Sequence, residues 1–506
     1  MKTKRSLLLL GMALAIPMYL FVIVNTFAAP WTFLERNRPA LLLLTLLAAA
    51  IMLLISLACR RHGAFLTRHA RKIRALCVLA FFIVQLFFGS QMRFGMTSDC
   101  ESCYYGAMEW VQSGALGDYY RQWLSIVPNC FGLFLLNALV FRFMSFVPAL
   151  ADVQPYYVIV TLNALLFAVG FWAMMKLAER MRGGAGQALF AANMALCTPM
   201  LYCTSEIYTD ALCMPFLMLA IFLISRMIES KSERSAHALA ALSGVAVLVG
   251  MELRATVAIV AVAAVIVTVL LCRPRRFVCL ATMLAILVAG HTAFTRYRDR
   301  VLGEDWLYRW RMPVVHWLVM GTPDPYGIYN GSFNNDDFLY ARSLENVDQR
   351  EEALWSRLYE RVYALRYPNR LLSAISRKVL NTFGDGTFDL RQIFGAKSLA
   401  PEAIRRTLIE DTPQRDAYRH ICTGIQMAQL FFLCACIVRM IKARKVSACG
   451  SLCAISLVGI FLVLLAWESS GRYFFHYMPV ALMLSALGQA YMMDALKYKL
   501  AGRESL

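Results

Sequence analysis

The chain has 506 residues, 59% of them hydrophobic and 16% charged, and its 51 Lys and Arg against 32 Asp and Glu leave a formal net charge of +19. Soluble domains sit at roughly 45–50% apolar and about 25% charged, so this composition, with a mean hydropathy of +0.55, excludes a soluble fold. It also removes nucleic acid as the reason for the positive charge, because no basic stripe interleaved with stacking aromatics stands outside the apolar blocks.

Those blocks run to roughly 17–23 residues, enough to cross a hydrocarbon core as helices. Lys and Arg cluster in the short segments between them, and that bias orients the path. Lys2, Lys4 and Arg5 hold the N-terminus inside, and Ser6–Ala28 goes out. This first block exceeds the apolar core of a signal peptide, and another follows at once. Ala40–Cys59 returns to a loop containing Arg60, Arg61, Arg68, Arg71, Lys72 and Arg74, and Ala75–Gln91 exits. The stretch SDCESCYYGAMEW then lies outside, with Asp99, Glu101, Glu109 and the pair Cys100-x-x-Cys103.

Cys130–Val147 is apolar but contains Arg142, and as a span it would strand Lys176, Arg180 and Arg182 outside. It therefore reads as an amphipathic helix on the outer face. Tyr157–Met175 goes in, Leu189–Cys203 comes out to Glu206 and Asp210, and Ala211–Ile228 returns. A hairpin of Ala236–Gly250 and Ala255–Leu271 carries Glu252 and Arg254 at its outer tip, and Phe277–Phe294 exits past Arg273, Arg275 and Arg276.

Thr295–His420 is one long hydrophilic region with amphipathic helical patterns over Asp348–Tyr367 and Arg370–Asn381. A connector of that length points to a lid or an acceptor-binding role. Ile421–Met440, Ala448–Trp467 and Phe474–Met493 close the path, with Lys442, Arg444, Lys445, Lys497 and Lys499 inside. The expected fold is an all-α polytopic membrane protein of about twelve spans. It divides into an N-terminal bundle (1–294, first external loop 92–156), an external region (295–420) and C-terminal helices (421–506).

This path collects Asp99, Glu101, Glu206, Asp210, Arg254, Glu468, Arg472, Tyr473 and His476 on one side of the membrane. Ionisable groups at helix ends in a membrane are costly unless paired or hydrated, and mark function by default. Arginines suit a phosphate, and a carboxylate suits removal of a proton from a nucleophile. The C-x-x-C lacks the second ligand pair of a zinc site, since His316, His420 and His476 match no metal spacing. It also lacks a thioredoxin-like setting. That leaves packing thiols beside an acid, or a disulfide in which Cys130 is the third external cysteine. No cofactor is implied; a divalent cation is compatible with these acids, but no spacing indicates one.

Several stretches, in order, resemble the GT-C superfamily of membrane glycosyltransferases, and within it the bacterial proteins of glycosyltransferase family 39, which are similar to protein mannosyltransferases. They are TSDCESCYYGAMEW, VPNCFGLFLL, YCTSEIYTDALCMPF, GMELRATVAIVAVA, HWLVMGTPDPYGIYN, KVLNTFGDGTF and SGRYFFHYMP. The resemblance implies a GT-C-like bundle that moves a sugar from a polyprenyl-phosphate donor to a glycan, lipid or protein acceptor outside a bacterial plasma membrane. It makes Asp99 the base, with Glu101 and Asp210 beside it. Arg254, Arg472 and Tyr473 would contact the donor phosphate, and Glu206, His316, Asp385 and His476 the substrates. Arg254 stands in Arg-Ala-Thr where relatives often carry Lys-Pro-Thr, and the two cysteines of the first loop depart from the family pattern. Two further readings fit a polytopic membrane protein. A flippase or transporter of lipid-linked saccharides would show duplicated halves with broken helices, and the third reading is a non-catalytic envelope scaffold.

Overall fold

The computed structural model describes residues 2–28, 37–92, 98–271, 275–324, 327–391, 399–444 and 446–501. Every regular element among them is helical, and ten helices are long and apolar enough to cross a membrane. Lys445 and Arg273 lie outside the described residues.

One end of the bundle is basic. The Arg38–Arg61 and Ala70–Gln91 helices are joined there through Gly63–Arg68, and the Thr67 hydroxyl accepts the Gly184 amide at 3.2 Å. Arg74 meets Glu179 at 2.6 Å and Arg182 meets Asp494 at 3.0 Å. Lys4 reaches the Val269 carbonyl at 3.3 Å, and Arg276 donates to the Ser230 carbonyl.

The two spans expected over 157–203 are the legs of a single broken helix, Pro155–Leu196. The break falls at Arg182 and Gly183, where Gly183 takes φ 66°. That conformation is open to glycine and strained for residues with a Cβ. Gly186 then packs against the Ala178 carbonyl, eight residues back, where an unbroken helix would hold them about 12 Å apart. The second leg stops at Leu196 rather than Cys203, and 3-10 turns over Thr198–Leu201 and Cys203–Ser205 lead to the next span. Counting the two legs separately, and adding the shorter Ala255–Leu271 and the final Met478–Ala501, gives thirteen apolar segments among the described residues, of which Pro128–Phe146 is the one beyond the twelve spans expected.

Thr209–Glu229, Pro413–Lys442 and Ala448–Ala466 are mostly buried and form the centre, while Arg38–Arg61, Ala70–Gln91 and Arg276–Leu302 expose apolar faces suited to lipid. Helices in lipid associate through close packing and internal hydrogen bonds. Both occur here: Gly488 sits against the Phe432 carbonyl, and Gln489 donates to Asn193 at 2.9 Å, with Ser485 joining at 3.2 Å.

At the opposite end, Ser98–Ser113, Asp118–Ile126 and Pro128–Phe146 form a helical layer. Trp110 packs beside Phe134, Tyr104 meets Phe141 edge to face and Cys103 reaches the Cys130 carbonyl, so the first and last of these helices pack across one another. The start of Pro128–Phe146 is held at this end by Gly132, which rests on the Glu252 carbonyl. The same start carries Cys130, whose thiol lies 4.0 Å from Asp99. Pro128–Phe146 is itself among the ten helices long and apolar enough to cross a membrane, and its exposed residues Leu139, Phe143 and Phe146 make it apolar on both faces rather than the amphipathic helix expected.

The long hydrophilic region is shorter than 295–420, because Arg275–Leu302 runs on past Phe294 and Pro413–Lys442 starts before His420. Between them lie Val314–Gly321, Asn335–Ser343, Val347–Ala364 and Pro368–Phe383, with short helices at Glu304–Trp310 and Glu402–Leu408. Asn346 caps Val347–Ala364 by accepting the Gln349 amide at 3.0 Å, and Pro368 opens the next helix, where its missing N–H costs nothing. This region is bolted to the turn after Ala448–Ala466. Lys378 donates to the carbonyls of Gly321 and, at 2.8 Å, Trp467. Ser469 donates its amide to Gly331 at 2.9 Å, and the Glu468 amide reaches Trp317 at 3.1 Å.

Candidate functional site

The tip of the Glu233–Leu253 hairpin, the turn before Thr209–Glu229, the helical layer and the 467–477 turn meet at the end opposite the Arg60–Arg74 segment. Asp99 is in the first turn of its helix, partly buried, with both oxygens engaged. Oδ1 accepts the Trp123 indole N–H at 2.8 Å, and Oδ2 accepts the Tyr208 hydroxyl at 3.0 Å. The Arg472 guanidinium lies 5.3 Å from the Tyr208 ring centroid and 5.0 Å from that of Tyr473. Arg254 covers Tyr473 at 4.3 Å and meets Asp210 at 2.7 Å. Asp99, Tyr208, Arg472, Tyr473, Arg254 and Asp210 thus form one continuous run of contacts.

Several polar atoms in or beside this run are buried without a hydrogen-bond partner: Nε of Arg254 and of Arg472 within it, and both oxygens of Glu206 and Nδ1 of His476 within electrostatic reach of Arg254. A guanidinium N–H or a carboxylate left unsatisfied in a buried place costs of order 1–3 kcal/mol or more, so such groups mark where a polar ligand would be received. Burial pushes the Glu206 carboxyl well above the usual carboxylate range; Asp210 adds to this, and Arg472 and Arg254 oppose it. Burial also raises Glu468, against the hydrogen bond it accepts from Tyr473 at 2.8 Å. His476 is buried, which drives its ring well below its ordinary value, and its Nε2 pairs with the Thr256 hydroxyl at 2.8 Å.

The other expected site residues are placed differently. Asp385 accepts the Thr387 amide at 2.9 Å and pairs with Arg419 at 2.8 Å, closing the turn that docks Phe388 against Gly471. Asp389 in this turn feels Arg472, yet burial and Asp385 lift its carboxyl to about 6. His316 packs on Trp317 and Phe338 with neither nitrogen hydrogen-bonded, and burial lowers it to about 4. Glu101, one turn from Asp99, is partly buried and lies within electrostatic reach of Cys100 and Tyr120.

A disulfide staple is not formed among Cys100, Cys103 and Cys130. The Cys103 thiol donates to the Cys130 carbonyl at 3.4 Å, the Cys100 thiol faces the Ile207 carbonyl at 3.8 Å, and the Cys130 thiol lies 4.0 Å from Asp99. They are packing thiols that wedge the helix of Asp99 against its neighbours. No group of three or more His, Cys, Asp or Glu side chains among the described residues is arranged to hold a metal.

Two residues were not singled out from the sequence, Tyr208 and Trp123. Both hold Asp99, but as aromatic residues in an aromatic-rich chain they carry no pattern of their own. The only signal for Tyr208 is its position between two acids at the start of a span, in EIYTD.

Fold and site together define a multipass integral membrane protein with a buried cluster of opposed charges at the end opposite the basic Arg60–Arg74 segment. The chain belongs to a family described as conserved hypothetical integral membrane protein, whose model matches residues 35–493. No curated protein and no solved structure matches it.

Proposed function

We propose that the chain is an integral-membrane glycosyltransferase of the bacterial plasma membrane, moving a sugar from a polyprenyl-phosphate donor to an acceptor hydroxyl at the end opposite the basic one. The bias of Lys and Arg puts that end outside the cell. One observation carries the reading: a carboxylate and two guanidiniums with open N–H groups lie in a single run of contacts from Asp99 to Asp210.

In this reading Asp99 takes the proton of the acceptor hydroxyl as its oxygen bonds to the anomeric carbon. The bond from that carbon to the phosphate oxygen breaks, and the electron pair leaves with the polyprenyl phosphate, which Arg472 and Arg254 neutralise. The sugar arrives already activated, so positioning, charge stabilisation and a base are what the site must supply. Glu206 and His476 border the same space and suit sugar or acceptor hydroxyls. Attack from the side opposite the phosphate inverts the anomeric centre.

The test is release of free polyprenyl phosphate from a polyprenyl-phosphate sugar by the purified protein. A general base contributes about 10²–10⁴-fold, so Asp99→Asn should lose release by that order while expressing normally. A fully active Asp99→Asn protein overturns the reading. A flippase would move the donor across vesicles without releasing the phosphate.

A further inference from the structure

The basic end holds a feature unrelated to the charged site. A groove of about 650 Å³ opens between the Ala70–Gln91 and Pro155–Leu196 helices, with Arg71, Arg74 and Lys176 at its rim and Phe82, Leu165 and Trp172 along its length. Trp172 and Leu165 are exposed, so the groove faces the surroundings of the bundle. From Arg71 to Phe82 a helix rises about 16 Å, which is the depth of one leaflet of a roughly 30 Å hydrocarbon core.

The charges at the rim are unequal. Arg74 is buried, pairs with Glu179 at 2.6 Å and donates to Gln187 at 3.2 Å. Lys176 sits 5.4 Å from the centroid of the Trp172 ring, and Arg71 is exposed. Among the described residues no carboxylate makes an ion pair with Arg71 or Lys176. Two cations without a counter-charge thus stand over an apolar trough one leaflet deep. Basic pockets between spans at this level suit anionic headgroups.

We infer that this groove holds an anionic phospholipid, its phosphate against Arg71 and Lys176 and an acyl chain along Phe82, Leu165 and Trp172. A zwitterionic lipid would bring its ammonium to the same positive rim, so the site selects net negative charge. The inference is independent of the proposed reaction.

The experiment uses the full chain in neutral detergent, titrated with phosphatidylglycerol or phosphatidylcholine carrying the same brominated acyl chains, with Trp fluorescence quenching as readout. Phosphatidylglycerol is expected to quench at about tenfold lower concentration, and Trp172→Phe should remove that selective component. The double variant Arg71→Gln/Lys176→Gln spares the Arg74–Glu179 pair and should bring the two lipids to equal quenching. Equal quenching of the original protein by both lipids overturns the inference, as does selective quenching that survives Trp172→Phe. The first comparison needs no variant, so it decides even if the double variant fails to fold. Glycerol phosphate in solution should not displace the lipid; full displacement would make this a site for a free phosphate and sink the lipid assignment.

Discussion

The Tyr208 hydroxyl donates to Asp99 Oδ2 at 3.0 Å while its ring carries the Arg472 guanidinium on one face, so one side chain touches both the proposed base and the proposed phosphate holder. Tyr208→Phe keeps the ring and removes only the hydrogen bond. The expected result is a fall of about tenfold in kcat, since a hydrogen bond to a charged group is worth about 1.5–3 kcal/mol, with KM for the donor little changed. Steady-state release of polyprenyl phosphate checks it.

Arg254 and Asp210 are a buried ion pair at 2.7 Å. Removing one member leaves the other charge stranded, a loss of about 3–5 kcal/mol. Arg254→Ala is therefore expected to lower the thermal unfolding temperature sharply, whereas Arg254→Met/Asp210→Leu should recover most of it and still be inactive. Thermal unfolding in detergent, read beside the release assay, separates the structural and chemical parts.

Much of the site was legible because charge in a membrane is rare. Asp99, Asp210, Arg254 and Arg472 stood out at the ends of apolar blocks, and the alternation of Lys and Arg put them on one side. What holds them was not legible. Trp123 and Tyr208 look like core until the fold brings them to a carboxylate. The staple through Cys130 is not formed: the Cys103 thiol turns to the Cys130 carbonyl, and cysteine spacing in a sequence says nothing of how thiols are oriented. The two legs of Pro155–Leu196 are legible as separate apolar blocks, but their junction is hidden in RMRGGAGQ, where Gly183 makes the turn and Gly184 and Gly186 allow backbone to meet backbone.

Lys378 is buried among backbone carbonyls, and that burial lowers its amine from 10.5 to about 7, against a smaller opposing pull from Glu468. A neutral amine has two N–H groups, enough for the Gly321 and Trp467 carbonyls. The unfolded chain binds a proton here that the folded chain gives up between about 7 and 10.5, so this group's contribution to stability rises with pH across that window and is unfavourable below it. Wild-type protein should gain unfolding temperature from pH 7 to 9 relative to Lys378→Met, which lacks the titrating group. Parallel curves for the two proteins would contradict this.

Cys100, Cys103 and Cys130 should all be alkylated after denaturation without reductant, and peptide mapping should find no linked pair. Cys130→Ser should fold and keep transfer, since Asp99 is held by Trp123 and Tyr208 rather than by a covalent bridge.

The bolts between the 303–412 region and the 467–469 turn bear on how a substrate gets in. Lifting that region like a hatch would break the Lys378–Trp467, Ser469–Gly331 and Glu468–Trp317 bonds together, at about 0.5–1.5 kcal/mol each. The same turn carries Arg472, so parting the region from it would loosen the backbone on which the proposed phosphate holder stands. Under the proposed reaction, with this region left docked, a long isoprenoid donor would enter sideways between helices. Such a route suits a donor that never leaves the bilayer, and leaves the watery side to the acceptor.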